Sequence, residues 1–236
     1  MQKLIVFLIG YCVFLHLVLA VFIVKFDALQ RLSEKLGYAE SRHAWHYRQM
    51  MALHRRIDAC VPEGAVLFIG DSFIQGMCVA AITEKGVNFG IGGDTTTGVL
   101  RRLDEYTCLK KAKAVVLAVG YNDLRELDND AIVANCREIF KLIPKNCPVL
   151  FCSMLPTDER YRHERYNDRI AKLNRSIANI CSSIENTHFV DLTEKLMDTE
   201  GNLSLQYHEE DGVHLNGKGY SVYNETLRTS LMSFGL

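Results

Sequence analysis

Two short stretches, far apart in the chain, together contain what a serine nucleophile needs. Gly70-Asp71-Ser72 follows Val66-Leu67-Phe68-Ile69. Four large apolar residues, β-branched and aromatic among them, fit a strand buried on both faces, and Gly70 permits a sharp turn where that strand ends. Ligands of open parallel α/β sheets bind outside the carboxyl ends of the strands, so Ser72 is delivered to such a crevice as a candidate nucleophile. By itself Gly-Asp-Ser is a common turn. The second stretch is Asp211-Gly212-Val213-His214. A carboxylate three residues before a histidine, across a glycine, can fold back in one turn, accept the imidazole N–H and hold the tautomer whose other nitrogen takes a proton. No other histidine of the chain has an aspartate at this spacing. His43, His46 and His54 read as parts of an N-terminal helical segment, and His163, His188 and His208 as surface or edge residues. Metal binding by Asp211 and His214 is the alternative, but no third or fourth ligand stands at a recognisable spacing.

Two more clusters fall after apolar runs. Asn88-Phe89-Gly90-Ile91-Gly92-Gly93-Asp94-Thr95 is a glycine-rich turn entering a helix, with Asp94 or Thr95 placed to cap it. Its backbone N–H groups could serve an oxyanion or cradle a phosphate, although the glycines do not match G-x-G-x-x-G and no P-loop lysine follows. Gly120-Tyr121-Asn122-Asp123 lets Asn122 offer a side-chain amide to the same crevice, while asparagine after a strand is also a turn former.

The elements that must position these residues alternate. Strands are expected at 65–69, 86–89, 114–119, 149–152 and 188–191, and helices near 73–83, 96–106, 129–143, 158–184 and 218–233. Strands alternating with helical stretches predict a three-layer α/β/α domain with a five-stranded parallel sheet over 62–236. Before it, residues 4–24 carry no formal charge and as a helix would span roughly 30 Å, so 1–26 read as an N-terminal transmembrane anchor. A cleaved signal peptide with Val18-Leu19-Ala20 at the cleavage site is the competing reading. Residues 27–61 read as a helical stalk with Gly37 as its break. Lys25, Arg31, Lys35 and Arg42 against Lys3 would keep the domain cytoplasmic. Long domains translocate regardless of charge, and an anchor with almost no tail before it resembles an export signal, which places the domain on the extracytoplasmic side.

Composition excludes some partners. With 27 Lys+Arg against 28 Asp+Glu the formal net charge is −1, so no basic excess recommends nucleic acid. The 8 cysteines show no Cys-x-x-Cys spacing and read mostly as buried thiols.

Gly70-Asp71-Ser72, Gly93, Gly120-x-Asn122-Asp123 and Asp211-x-x-His214, in this order and each on its expected element, resemble the SGNH (GDSL) hydrolase family from about Ala65 to the C-terminus. The resemblance implies a flavodoxin-like sheet and serine esterase chemistry without metal or organic cofactor. It implies Ser72 as nucleophile, His214 as general base and Asp211 as its orienter. The oxyanion hole it implies consists of the Ser72 and Gly93 N–H groups and the Asn122 side chain. Tyr121 departs from the small polar residue of many relatives. Ile74 in place of a second glycine argues against the G-x-S-x-G nucleophile elbow. The substrates this allows are a lysophospholipid or other acyl ester near a bilayer, or O-acetyl groups of an envelope glycan. Acyl transfer by the same triad and a non-catalytic, membrane-tethered binding module are the rival functions. Ile74, Met77, Ile91 and Met154-Leu155-Pro156 are candidates either for an acyl pocket or for plain core.

Overall fold

Uncharged, strongly apolar sequence at the N-terminus forms one long helix, α1 (Gln2–Lys35), whose segment Leu4–Phe22 has a mean hydropathy of 2.8 and enough length to cross a membrane. A signal sequence has the same properties. The computed structural model describes residues 2–35, 42–162 and 164–236, so Gly37 and His163 lie outside the described residues. Helix α2 (Arg42–Asp58) follows. The chain divides into two units, residues 1–48 and 49–236, and the second half of α2 therefore belongs to the globular unit. Within that unit Asp58 accepts hydrogen bonds from the Thr107 N–H (3.1 Å), the Thr107 hydroxyl (2.5 Å) and the Cys108 N–H (2.9 Å). His54, read from sequence as part of the stalk, is instead 1 % exposed and shares a 2.8 Å hydrogen bond with the Tyr106 hydroxyl. Burial, aided by the Arg102 charge, pulls its pKa down to about 4, so the ring is neutral.

The sheet is built from β1 (Val66–Gly70), with α3 (Ser72–Gln75) after it, then β2 (Gly86–Gly90) and α4 (Thr96–Leu103), then β3 (Ala114–Ala118) and α5 (Asn129–Leu142). β4 (Val149–Cys152), α6 (Asn167–Ser183), β5 (Thr187–Val190) and α7 (Gly217–Ser233) complete it. All five strands are parallel in the order β2-β1-β3-β4-β5. Alternation sends neighbours to opposite faces. Leu67, Ile69, Val115, Leu117 and Phe151 pack with Val99, Ile132, Ile139 and Ile177 of α4, α5 and α6. Val66, Phe68, Val116 and Leu150 pack with Ile74 of α3 and Tyr223 and Leu227 of α7. Three layers result, and the central strands β1 and β3 are buried throughout.

Three expected helices are shorter, and the one expected near 96–106 ends at Leu103. The run 73–83 gives only α3 and a separate turn of 3₁₀ helix, Val79–Ala81, because the N–H of Gly76 closes the first turn on Ser72 and Ile74 carbonyls and the chain must double back to start β2. Residues 158–162 and 164–166 are not helical and do not start α6. There Asp158 accepts from the Arg160 N–H and guanidinium, and Asn167 accepts from the Thr157 N–H, so side chains compete with helical bonding.

Candidate active site

Register places the site. Gly70 of β1 lies level with Gly90 of β2 and Ala118 of β3, so the loops that follow all three strands leave the sheet along one line. Those loops carry Ser72, Gly93 and Asn122.

Asp71, 2 % exposed, caps α3 by accepting the Phe73 N–H at 3.0 Å, which fixes the turn that presents Ser72. Burial pushes the Asp71 carboxyl up to about 7; the Phe73 N–H opposes this, while Asp94 and Asp123 add to it. The folded protein therefore holds this proton up to about pH 7, whereas an unfolded aspartate releases it near pH 4. Between those values the native state binds more protons, and stability falls as pH rises. Asp71→Asn keeps an oxygen for the Phe73 N–H and removes the titration. Denaturant unfolding at about pH 5 and about pH 8 is expected to show a smaller loss of stability in this variant than in wild type, at about 1.4 kcal/mol per unit of pKa displacement removed. Equal losses in the two proteins would contradict the assignment.

Opposite Ser72 stands the loop before α7. His214 Nε2 lies 3.2 Å from Ser72 Oγ, and His214 Nδ1 lies 2.5 Å from Asp211 Oδ2. The other oxygen, Asp211 Oδ1, accepts the Val213 N–H at 2.8 Å and the His214 N–H at 2.9 Å. Burial alone would raise the Asp211 carboxyl, but the hydrogen bonds from the His214 ring and these N–H groups outweigh it and hold its pKa below the usual value. An ionised Asp211 accepts the Nδ1 proton, which leaves Nε2 free to accept the Ser72 hydroxyl.

This loop is braced from below. His208, read from sequence as a surface or edge residue, is 3 % exposed, with Nε2 3.2 Å from Asp158 Oδ2 and Nδ1 accepting the Gly212 N–H at 3.3 Å. Gly212 adopts φ +74°, and a Cβ there would come 2.7 Å from the Asp158 carbonyl oxygen. Glycine is thus required for the loop to close on its support.

The glycine-rich turn after β2 is held by α4. Thr95 is the residue that caps α4, accepting the Gly98 N–H at 3.1 Å. Asp94 instead pairs with the fully buried Arg102 at 2.8 Å. Arg102 also donates to the Phe89 carbonyl (2.8 Å), the Gly70 carbonyl (3.0 Å) and the Tyr106 hydroxyl (2.5 Å). One guanidinium therefore ties the ends of β1 and β2 to the turn after β2. The Asn122 amide donates one hydrogen to the Asp94 carbonyl at 2.9 Å, and Asp123 accepts the Thr96 N–H at 3.0 Å. Gly93 has φ +78°, and neither its N–H nor that of Ser72 donates to another described residue. With the second hydrogen of Asn122, three donors remain unspent around the serine.

Sequence reading missed Arg102 and the His208–Asp158 pair. Arg102 had a signal: it lies on the apolar stripe formed by Val99, Leu103 and Tyr106, where a charge is a buried charge. The acyl-pocket candidates turn out to be core, since Ile74, Met77, Ile91, Met154 and Leu155 are all buried. Met154 and Leu155 do border, with Asp71, Phe73 and Tyr121, a partly open space of only about 10 Å³. A larger cleft of about 1010 Å³ along α6 and β5 is lined by Pro156 but by none of Ser72, Gly93, Asn122, Asp211 and His214.

Comparison with known proteins bears on the family and the fold. Residues 68–222 match the GDSL-like lipase/acylhydrolase family. The human platelet-activating factor acetylhydrolase IB subunit alpha2 is 29 % identical over 194 residues, covering 77 % of this chain and 83 % of its own. The structure of a GDSL-like lipase from Bacteroides thetaiotaomicron superposes with a TM-score of 0.69 at 22 % identity, covering 78 % of this chain and 97 % of that one. A carbohydrate esterase family 3 structure from Talaromyces cellulolyticus does so with a TM-score of 0.59 at 15 % identity, over 72 % and 97 % of the two chains. The chain belongs to the GDSL-like lipase/acylhydrolase family and is an ester-hydrolysing enzyme.

Proposed function

We propose that the protein is a serine esterase that releases short acyl groups, acetyl foremost, through a Ser72–His214–Asp211 triad. The observation that carries this reading is the pair of contacts on one imidazole: Ser72 Oγ at 3.2 Å from Nε2 and Asp211 Oδ2 at 2.5 Å from Nδ1. His214 takes the Ser72 proton as Oγ attacks the ester carbonyl, and Asp211 stabilises the imidazolium. The Ser72 and Gly93 N–H groups and the Asn122 amide receive the oxyanion. His214 then returns the proton to the leaving alcohol and activates the water that frees the acid. The short acyl group is supported by Ile74, Met77, Ile91, Met154 and Leu155 being buried in the core. It is supported also by the acetylhydrolase relatives. Helix α1 is assigned the role of membrane anchor, with the stretch after it as the stalk.

Rates on 4-nitrophenyl esters from acetyl to palmitoyl test this directly: activity is expected to peak at acetyl, and a long-chain optimum would overturn the short-acyl assignment. Asn122→Ala is expected to lower kcat by about 10²- to 10³-fold with KM little changed. The lost Asp94 contact is one hydrogen bond of a part-buried side chain, so the variant folds. A folded Asn122→Ala protein with a wild-type rate removes Asn122 from the oxyanion hole.

A further inference from the structure

A buried imidazole on α2 has one nitrogen in use and one left over. His54 Nδ1 lies 2.8 Å from the Tyr106 hydroxyl, while Nε2 is buried with no hydrogen-bond partner among the described residues. The ring sits against Phe89 and Tyr106, with centroids 5.1 Å and 5.9 Å away. A phenyl ring would fill such a place without burying an unpaired nitrogen, which costs free energy. Packing therefore does not account for a histidine at this position, and the bond at Nδ1 does.

The direction of the hydrogens follows from Arg102. A guanidinium only donates, so Arg102 Nη1, 2.5 Å from the Tyr106 hydroxyl oxygen, gives it a hydrogen and leaves the phenol's own hydrogen for an acceptor. His54 Nδ1 is that acceptor, on a ring that burial and the Arg102 charge keep neutral. Tyr106 is thus held from both sides, and with it the end of Arg102 that also donates to the Phe89 carbonyl. From there Arg102 Nε reaches Asp94 Oδ2 at 2.8 Å, and the Asp94 carbonyl accepts the Asn122 amide at 2.9 Å. His54, Tyr106, Arg102 and Asp94 are each no more than 3 % exposed, so solvent does not compete for these bonds. At the far end, the Asp94 carbonyl is the one hydrogen-bond partner of the Asn122 side chain among the described residues. Where that carbonyl stands decides where the second hydrogen of the amide points. An oxyanion donor works only when it is aimed beforehand at the developing charge.

We propose that Tyr106 and His54 are positioning residues for ester hydrolysis: through Arg102 and Asp94 they fix the direction of the Asn122 amide. This rests on the reading of Asn122 as an oxyanion donor. His54 precedes residues 68–222, the part of the chain that matches the family, so the unit needed for full activity begins within α2 and not at β1.

Rates on 4-nitrophenyl acetate with the full chain in detergent test it. His54→Phe keeps an aromatic ring and removes the acceptor, Tyr106→Phe removes a single oxygen, and His54→Asn offers a carbonyl oxygen near the place of Nδ1. Both phenylalanine variants are expected to lower kcat by about five- to tenfold, the scale of one hydrogen bond, with KM little changed. His54→Asn is expected to recover most of the loss. A packing role gives the reverse order, with His54→Phe active and His54→Asn impaired, and that order overturns the proposal. In an Asn122→Ala background, Tyr106→Phe is expected to change kcat by less than about twofold, because the group it positions is gone. An equal loss with and without Asn122, or a wild-type kcat in Tyr106→Phe, also overturns it and leaves Asn122 in the oxyanion hole. If Asn122→Ala alone keeps the wild-type rate, the oxyanion assignment itself fails and the positioning role with it.

Discussion

Ser72→Ala is expected to reduce kcat by about 10⁴-fold or more while leaving the protein folded. The substitution removes the attacking oxygen and nothing else of consequence to the fold. Ser72 is the first residue of α3, and the cap of that helix is Asp71, whose bond to the Phe73 N–H does not involve the Ser72 side chain. Alanine is a good helix former at such a position. The Ser72 hydroxyl meets His214 at 3.2 Å in a half-open site, so its loss exposes no buried unpaired group. Members of a triad act as a unit, and the residue that remains after losing the nucleophile is the modest catalysis of the oxyanion donors and of binding. Circular dichroism and steady-state rates on an acetyl ester check both halves of the expectation. A folded Ser72→Ala protein that keeps more than about 1 % of the wild-type rate would exclude the triad mechanism.

The largest stability effect is expected at Arg102, not in the triad. Arg102→Met leaves Asp94 as a buried carboxylate without its partner, and it strips donors from the Gly70 and Phe89 carbonyls and from the Tyr106 hydroxyl. Breaking a buried pair by removing one member costs about 3–5 kcal/mol. That is a large fraction of the roughly 5–15 kcal/mol that holds a domain folded. Burial already pushes the Asp94 carboxyl up even with Arg102 present, and without it the group takes up a proton rather than stay charged. Asp94→Asn added to Arg102→Met is therefore expected to recover part of the loss. Arg102→Lys keeps the charge but cannot span four acceptors, so it is expected to fall between wild type and methionine. Denaturant midpoints of the four proteins measure this; a cost below about 1 kcal/mol for Arg102→Met would show that the network is not a unit. The same network reaches the chemistry, because the Asp94 carbonyl holds the Asn122 amide at 2.9 Å.

How much of this was legible depends on how local each signal is. The strands were, within a residue or two at each end, because Val66–Ile69 and Ala114–Ala118 are apolar runs too short for helices and bounded by glycine or proline signals. The long helices α5 and α7 were, because their apolar spacing is regular. Helix ends at 76 and 167 were not. Gly76 stops α3 because the chain must turn back toward β2, and Asn167 starts α6 because the loop before it is tied to Thr157. The first is held by Asn88 of β2, which donates to the Ile74 and Met77 carbonyls, and the second by Thr157, and neither bond is part of a helical period. The cysteines read correctly as mostly buried: Cys108, Cys136, Cys147, Cys152 and Cys181 are, while Cys12, Cys60 and Cys78 are exposed.

For the candidate site, sequence by itself determined the residue types and their order: a serine after a strand, a glycine turn, an asparagine, and an aspartate three residues before a histidine. It could do so because each motif is a local turn whose backbone chemistry is written in adjacent residues. Tertiary structure alone decided the rest. Parallel register levels Gly70, Gly90 and Ala118, which gathers Ser72, Gly93 and Asn122, and the packing of α7 on the sheet sets His214 against Ser72 across 142 residues of sequence. It also decided that His54 and His208 are buried partners of Tyr106 and Asp158, and that Arg102 joins the ends of β1 and β2 to the turn after β2. Burial and long-range hydrogen bonds are properties of packed neighbours, and no residue's own sequence context records which neighbours those will be.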